Sequence, residues 1–148
     1  MRIALGADHA GVDLKDQLKA QLGARGFTCQ DFGTSSSDSV DYPDYAVRVA
    51  HEVAAGRCDR GILVCGSGLG MAIAANKVPG VRAVAVVEAE STRLSREHND
   101  ANVLALGARL VPADRALQLV HVFLTTAFSG GRHQRRLDKL SALEHTPR

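Results

Sequence analysis

The chain has 148 residues, enough to bury a core within one domain of ordinary size. Its apolar fraction of 45%, charged fraction of 23% and net charge of +2 are typical of a globular protein and indicate neither a nucleic-acid nor a membrane partner. No long apolar segment is present and the first residues lead directly into a predicted strand, so we expect no signal peptide. The three cysteines, Cys29, Cys58 and Cys65, have no C-x-x-C spacing, which favours a reducing cytoplasm without disulfides or structural zinc.

The first part of the chain predicts two strands and two helices. A strand is predicted at Ile3–Ala7, and the leucines at every fourth position from Leu14 to Leu22 then indicate the buried face of a helix. A weaker second strand follows at Phe27–Phe32. The polar, Ser-rich segment 33–41 has the length of a loop over a site, and Pro43 suits the first position of a second helix.

The rest of the chain continues the alternation of strands and helices. Three further strands are predicted at 62–64, 83–87 and 103–106, with short helices after the first two of them. A helix begins at Pro112, and a last helix over 132–144 carries an apolar stripe of Leu137, Leu140 and Leu143. This alternation predicts an α/β protein, with residues 1–148 forming a single-domain, Rossmann-like three-layer sandwich around a five-stranded parallel sheet.

The most informative stretch joins the third strand to the helix after it. Three glycines, Gly66, Gly68 and Gly70, form a turn whose backbone N–H groups would converge on one point with those of the helix N-terminus. Such a point favours an anion, either a bound phosphate or negative charge developing on a substrate oxygen. Cys65 ends the strand beside that helix N-terminus, which favours a reactive thiolate. Since a cysteine there is usually a small buried hydrophobe, the loop alone is equally compatible with catalysis and with anion binding.

The glycine spacing also bears on nucleotide binding. The run is G-x-G-x-G, and Met71 occupies the sixth place of a G-x-G-x-x-G match, where it is too large for the required close packing. Glu88, at the end of the next apolar run, lies near the position expected for a ribose-binding acid. A nucleotide- or flavin-binding module on a flavodoxin-like sheet is therefore the alternative function, although it leaves Cys65 and His98 without a role.

Several other polar residues follow or precede the predicted strands. They are Asp8 and His9 after the first strand, Arg109 after the last strand, and His98 and Asn99 shortly before it. Arg132 and Arg136 are four residues apart on the last helix and would form a clamp for a phosphate. Each has an ordinary structural explanation when taken singly, as a cap, a core histidine or a solvated basic face. The prediction of a site depends on these groups converging at one edge of the sheet.

A set of short motifs together resembles the type B ribose-5-phosphate isomerase family, which includes galactose-6-phosphate and allose-phosphate isomerases. The resemblance covers Arg2 to about Leu143. The motifs are Asp8-His9-Ala10-Gly11, Asp41-Tyr42-Pro43, Cys65-Gly66-Ser67-Gly68-Leu69-Gly70, Ala74-Ala75-Asn76-Lys77, His98-Asn99-Asp100-Ala101-Asn102 and Gly131-Arg132-His133.

This resemblance implies a cofactor-free aldose–ketose isomerase of the pentose phosphate pathway, which interconverts ribose 5-phosphate and ribulose 5-phosphate through an enediolate. The residue that matches Cys65 is the base that moves a proton between C2 and C1, and the one that matches His98 opens the sugar ring. Ser67 holds its hydroxyl near the reacting oxygens. Some members place a glutamate at the position of Met71, which cannot accept a proton, so the cysteine version of the mechanism applies here.

The resemblance also implies which residues bind substrate. The sugar is contacted by residues matching Asp8, His9, Tyr42 and Asn99, the phosphate by those matching His9, Arg109, Arg132 and Arg136, and the reacting oxygens by the loop Gly66, Ser67, Gly68, Leu69 and Gly70. No metal is implied.

A dimer or dimer of dimers with shared sites is implied as well. Each site would combine the segment 65–70 of one chain, which we call the cysteine loop, with His98, Asn99 and Arg109 of its partner. The arginine pair, Arg132 and Arg136, would anchor the phosphate from the other side. The last helix, 132–144, would pack on the partner subunit. The preferred substrate stays open, with allose 6-phosphate, galactose 6-phosphate or a tetrose phosphate as alternatives to ribose 5-phosphate. A sensor that binds a sugar phosphate without turnover is a further alternative function.

Overall fold

The structure, a computed structural model, describes residues 1–145 and Pro147. The predicted domain extends to residue 148, and residues 146 and 148 lie outside the described part of the chain. None of the helices within the described residues is long and apolar enough to span a membrane.

Five parallel strands form one sheet in the order β2-β1-β3-β5-β4. The strands are β1 Arg2–Ala7, β2 Thr28–Asp31, β3 Arg60–Cys65, β4 Ala83–Ala85 and β5 Val103–Gly107. The helices are α1 Val12–Ala24, α2 Tyr42–Ala54, α3 Leu69–Ala75, α4 Ala89–Asn99, α5 Ala113–Thr125 and α6 Arg132–Leu143. The predicted α/β sandwich with a five-stranded parallel sheet is therefore confirmed. The edge strands β2 and β4 are shorter than predicted, and each of them pairs with one neighbouring strand only.

The sheet is buried on both faces, which explains why its central strands are almost wholly apolar. On one face Ile62 and Leu104 pack under α1 and α5, with α4 beside α5. On the other face Leu63 and Val103 pack under α2 and α3. Successive residues of each strand thus point into opposite layers.

The last helix is only partly covered by its own chain. Of its predicted apolar stripe, Leu137 is buried, whereas Leu140 is 47% and Leu143 67% exposed. On α3, Leu69 and Ile73 are similarly exposed. Two helices therefore carry apolar side chains that the rest of the chain leaves in solvent.

Candidate active site

A cleft with a volume of about 310 Å³ lies at the carboxyl edge of the sheet. It forms because β3 lies between β1 and β5, so that the segments after these three strands meet. The residues that line it are Asp8, Tyr42, Cys65, Gly66, Ser67, Gly70, Arg109 and Leu110. The expected convergence of Asp8, the cysteine loop and Arg109 is confirmed.

The cysteine loop is held by short-range contacts. Cys65 is buried, and its Sγ accepts a hydrogen bond from the N–H of Gly68 at 3.0 Å. Gly68 has φ 81°, and a Cβ there would lie 2.9 Å from the carbonyl carbon of Leu106, so only glycine fits. The Oγ of Ser67 accepts from the N–H of Leu69 at 3.3 Å. The loop therefore fixes the cysteine sulfur and the serine hydroxyl on one short turn.

The N–H groups at the start of α3 are a second feature of this loop. Those of Ser67, Gly70 and Met71 have no hydrogen-bond partner among the residues that the structure describes. Ser67 and Gly70 line the cleft, whereas the side chain of Met71 is fully buried in the core below α3. Free backbone donors at the edge of a cleft can bind the oxygen of an anion.

Two side chains close over the loop. A Cβ on Gly70 would lie 2.5 Å from the Cζ of Tyr42, so the tyrosine ring lies directly against this glycine. Similarly, a Cβ on Gly66 would lie 3.0 Å from a terminal nitrogen of Arg109. An aromatic ring and a guanidinium of the same chain thus flank the cysteine loop.

The first strand contributes Asp8 and His9. The Oδ1 of Asp8 accepts the N–H groups of Ala10 and Gly11 at 3.0 and 3.2 Å, so it closes the turn before α1 rather than capping the helix itself, and Asp8 also lines the cleft. The Nδ1 of His9 accepts from the N–H of Val40 at 3.1 Å. The neutral imidazole must then carry its proton on Nε2, where it is available to donate. Val40 belongs to the predicted loop 33–41, so this loop does reach the site residues.

His98 and Asn99 lie at the opposite edge of the sheet. They end α4, which runs from the end of β4 back to the start of β5, antiparallel to the strands. The length of β5, about 13 Å, therefore separates them from the cysteine loop. The ring of His98 stacks on that of His133, with centroids 4.2 Å apart and an interplanar angle of 16°.

The arginine pair lies with these two histidines. Arg132, His133 and Arg136 share the first turns of α6, and both arginines are exposed. Desolvation and then the positive charges of His98, Arg132 and Arg136 hold the pKa of His133 below its usual value. This part of the surface is therefore cationic and disfavours a further proton on His133.

The structure thus divides the predicted site residues into two groups. We call the first the cysteine cluster: Asp8, His9, Tyr42, Cys65, Gly66, Ser67, Gly68, Leu69, Gly70 and Arg109. We call the second the histidine cluster: His98, Asn99, Arg132 and Arg136, together with His133, which the structure adds to them.

Two expectations need correction. Within one chain the predicted residues do not all converge at one sheet edge, because α4 returns His98 to the amino edge. The expected grouping of Arg109 with His98 is also wrong within the chain, since Arg109 packs on Gly66 and the arginine pair of α6 lies with His98 instead.

Two features escaped the sequence reasoning. His133 belongs to the Gly131-Arg132-His133 motif, which gives it no role of its own, and only the packing of α6 beside α4 places it on His98. Glu88 favoured nucleotide binding, but its carboxylate caps α4 by accepting the N–H groups of Glu90 and Ser91 at 2.9 and 2.7 Å. Capping of α4 accounts for the glutamate at this position, so Glu88 is no longer evidence for a ribose-binding acid. In the described part of the chain, no three His, Cys, Asp or Glu side chains are arranged to hold a metal ion.

The chain is similar to known proteins over nearly its whole length. Residues 3–140 match the family model described as Ribose/Galactose Isomerase. The chain is 49% identical over 143 residues to "Ribose-5-phosphate isomerase B" of Escherichia coli strain K12, covering 97% of this chain and 96% of that protein.

Solved structures of ribose-5-phosphate isomerases B also resemble the fold of this chain closely. That of the Clostridium thermocellum ribose-5-phosphate isomerase B has a TM-score of 0.97 at 50% identity, covering 98% of both chains. The Mycoplasma genitalium enzyme, solved with bound ribulose-5-phosphate, has a TM-score of 0.95 at 40% identity and covers 99% of this chain and 97% of that one. The chain therefore belongs to the ribose/galactose isomerase family and is an isomerase.

Proposed function

We propose that this isomerase interconverts ribose 5-phosphate and ribulose 5-phosphate through an enediolate, without a cofactor, in the pentose phosphate pathway of the cytoplasm. The observation that carries the proposal is the cysteine cluster, in which a buried thiol and free backbone N–H donors border one cleft. The bound ribulose-5-phosphate of the M. genitalium relative supports the choice of substrate.

Cys65 acts as the base that moves the proton between C2 and C1. The C2 hydrogen of an aldose is a very weak acid, so a base, which typically supplies ~10²–10⁴-fold, does not suffice alone. Donors to the developing oxyanion are needed as well, and losing one typically costs ~10²–10³-fold. The N–H groups of Ser67 and Gly70 are such donors.

Ser67 adds a hydroxyl to the same place. Because its Oγ accepts the N–H of Leu69, its own proton is left for a bond to a substrate oxygen. A single turn thus brings together a base, a hydroxyl donor and backbone donors. This combination suits proton transfer with charge developing on O1 and O2.

The opening of the sugar ring requires a second chain. His98 cannot act on a sugar held at Cys65 of its own chain, because the two lie at opposite edges of the sheet. A homodimer in which the histidine cluster of one chain faces the cysteine cluster of the other would form two equivalent sites. The exposed apolar side chains support this arrangement, since Leu69 and Ile73 flank the cysteine loop and Leu140 and Leu143 lie on the helix that carries the arginine pair.

The phosphate would then be bound from both sides. Arg109 and the Nε2–H of His9 come from the chain that supplies Cys65, and Arg132 and Arg136 come from its partner. Binding energy from the non-reacting phosphate would hold the reacting carbons in place.

An isomerisation assay across four aldose phosphates tests the proposal: ribose 5-phosphate, allose 6-phosphate, galactose 6-phosphate and erythrose 4-phosphate. We expect the highest kcat/KM for ribose 5-phosphate, and a higher value for another sugar would reassign the substrate. Binding of ribose 5-phosphate without turnover would instead identify a sensor. Thermal stabilisation by FMN or NAD would favour the nucleotide-binding alternative.

A further inference from the structure

The turn that ends α4 has an unusual backbone. Asp100 follows directly after His98 and Asn99, and it is the single non-glycine residue with positive φ in the described part of the chain, at φ 45° and ψ 45°. Two backbone bonds close the turn, from the N–H of Asp100 to the carbonyl of Arg96 and from that of Ala101 to Ser95, at 3.2 and 3.0 Å. Glycine is the usual residue in this geometry, because a Cβ disfavours it.

The carboxylate of Asp100 joins two arginines. Its Oδ1 accepts from Nη1 of Arg96 at 2.7 Å, and its Oδ2 accepts from Nη2 of Arg82 at 3.3 Å. The Nε of Arg82 also donates to the backbone carbonyls of Asn99 and Asp100, both at 3.0 Å. Arg82 therefore holds the turn through its backbone and through the Asp100 side chain at once.

Arg96 connects this turn to the body of the protein. It is only 2% exposed, and its guanidinium also donates to the carbonyls of Ala101 at 2.6 Å and Thr126 at 3.1 Å. Thr126 follows α5, so the contact ties the end of α4 to the end of its neighbouring helix. A guanidinium buried this deeply needs a charged partner, and Asp100 is the carboxylate that supplies it.

We propose that Asp100 is a positioning residue for the isomerase reaction. Through Arg82 and Arg96 it holds the last turn of α4 so that His98 and Asn99 are directed toward the cysteine cluster of a partner chain. Asp100 itself does not touch the substrate. The proposal rests on the shared site proposed above, and the experiment below separates the failure of one from the failure of the other.

Two variants remove the carboxylate in different ways. Asp100→Gly keeps a backbone suited to positive φ and deletes the bridge, while Asp100→Asn keeps the volume and one acceptor oxygen but removes the charge. The matched control is Glu90→Gln at the other end of α4, where Arg93 retains its second partner, Glu97.

The first readout is turnover by each variant alone. A misplaced catalytic group can cost ~10²-fold, so we expect kcat on ribose 5-phosphate to fall by roughly 10-fold or more in Asp100→Gly and less in Asp100→Asn. Glu90→Gln should keep wild-type turnover. If Asp100→Gly does not fold, Asp100→Asn replaces it in every step.

The second readout assigns the defect to one half of the site. Asp100→Gly is unfolded and refolded with Cys65→Ala, and separately with His98→Ala. With Cys65→Ala, a mixed dimer contains one site built from an intact cysteine cluster and an intact histidine cluster, so about a quarter of wild-type activity should appear. With His98→Ala no such site forms, and activity should not exceed what the Asp100→Gly chains supply alone.

Recovery with Cys65→Ala only would support the positioning role. As a reference, Cys65→Ala and His98→Ala are refolded together and should restore each other's activity. If they do, recovery of Asp100→Gly with both of these variants, or with neither, would overturn the positioning role. If the reference pair does not recover activity, the shared site itself is wrong. The role of Asp100 is then tested by comparing the loss of turnover on two substrates. A larger loss on ribose 5-phosphate than on erythrose 4-phosphate, which does not form the cyclic hemiacetal that His98 opens, would then support the role of Asp100, and equal losses would overturn it.

Discussion

The cysteine cluster and the histidine cluster differ in how the chain builds them. The first is assembled from segments that follow the four neighbouring strands β2, β1, β3 and β5, and the loop at its centre is held by local contacts such as the Gly68 N–H on the Cys65 sulfur. The second is assembled from the ends of two helices at the opposite edge of the sheet, where His98 stacks on His133. The structure separates the two clusters by the length of the sheet, and in the proposed homodimer each would supply one half of a site.

The largest expected effect comes from removing the base of the cysteine cluster. Cys65→Ala should lower turnover by ~10²–10⁴-fold, because among the described residues no other thiol borders the cleft. Binding of a phosphate ligand should persist, since the arginines remain. Cys58→Ala is the matched control, as Cys58 is also buried but lies near Gln30 rather than beside the glycine loop. Steady-state kinetics of both variants check this, and full activity of Cys65→Ala would remove the proposed base.

The next effect distinguishes the role of the histidine cluster. His98→Ala should reduce turnover of ribose 5-phosphate by ~10²-fold, the scale of one acid–base group, and reduce turnover of erythrose 4-phosphate much less. This holds because the tetrose needs no ring opening. The comparison requires that the tetrose is a substrate of the unmodified protein, and equal losses on both sugars would contradict the ring-opening role.

The sequence predicted the two clusters with unequal success. Cys65 ends β3 and Arg109 follows β5, and the rule that strand ends meet at one edge of a parallel sheet places them together. The family resemblance, by contrast, implied that Arg109 comes from the partner chain. His98 was misplaced because its position depends on the length and direction of α4, for which the pattern predicted only a short helix after the fourth strand. The stack of His98 on His133 depends on the packing of α6 against α4, and the bond from Arg82 to Asp100 joins positions 18 residues apart. No local pattern encodes either contact.

A smaller effect tests the packing within the cysteine cluster. Gly70→Ala would place a methyl group 2.5 Å from the Cζ of Tyr42, so the ring must move away from the cleft. We expect kcat/KM to fall by roughly 10-fold, since displaced binding groups cost up to ~10²-fold. Gly23→Ala, where a Cβ would meet nothing within 4 Å, is the control and should leave kinetics unchanged. Unchanged kinetics in Gly70→Ala as well would show that the contact with Tyr42 is dispensable.

The smallest effect concerns pH and the histidine cluster. Since the folded pKa of His133 lies below its usual value of about 6.5, the folded state binds its proton less tightly than the unfolded state. Neutral His133 therefore contributes to the free energy of unfolding above pH ~6.5, and this contribution is lost as the pH falls through the folded pKa. His133→Gln should therefore flatten the decrease of the unfolding midpoint between about pH 7 and 5, measured in urea. An identical pH dependence in both proteins would count against the cationic environment described for His133.

In the proposed homodimer, Cys65 of one chain works with His98 of the other. The most direct test mixes the inactive Cys65→Ala and His98→Ala proteins, unfolds and refolds them together, and measures isomerisation of ribose 5-phosphate. In a mixed dimer one site carries both lesions and the other carries none. Random exchange makes about half of the dimers mixed, so the account predicts that roughly a quarter of wild-type activity returns. A mixture that stays inactive, although mass measurement confirms exchange of chains, would contradict it.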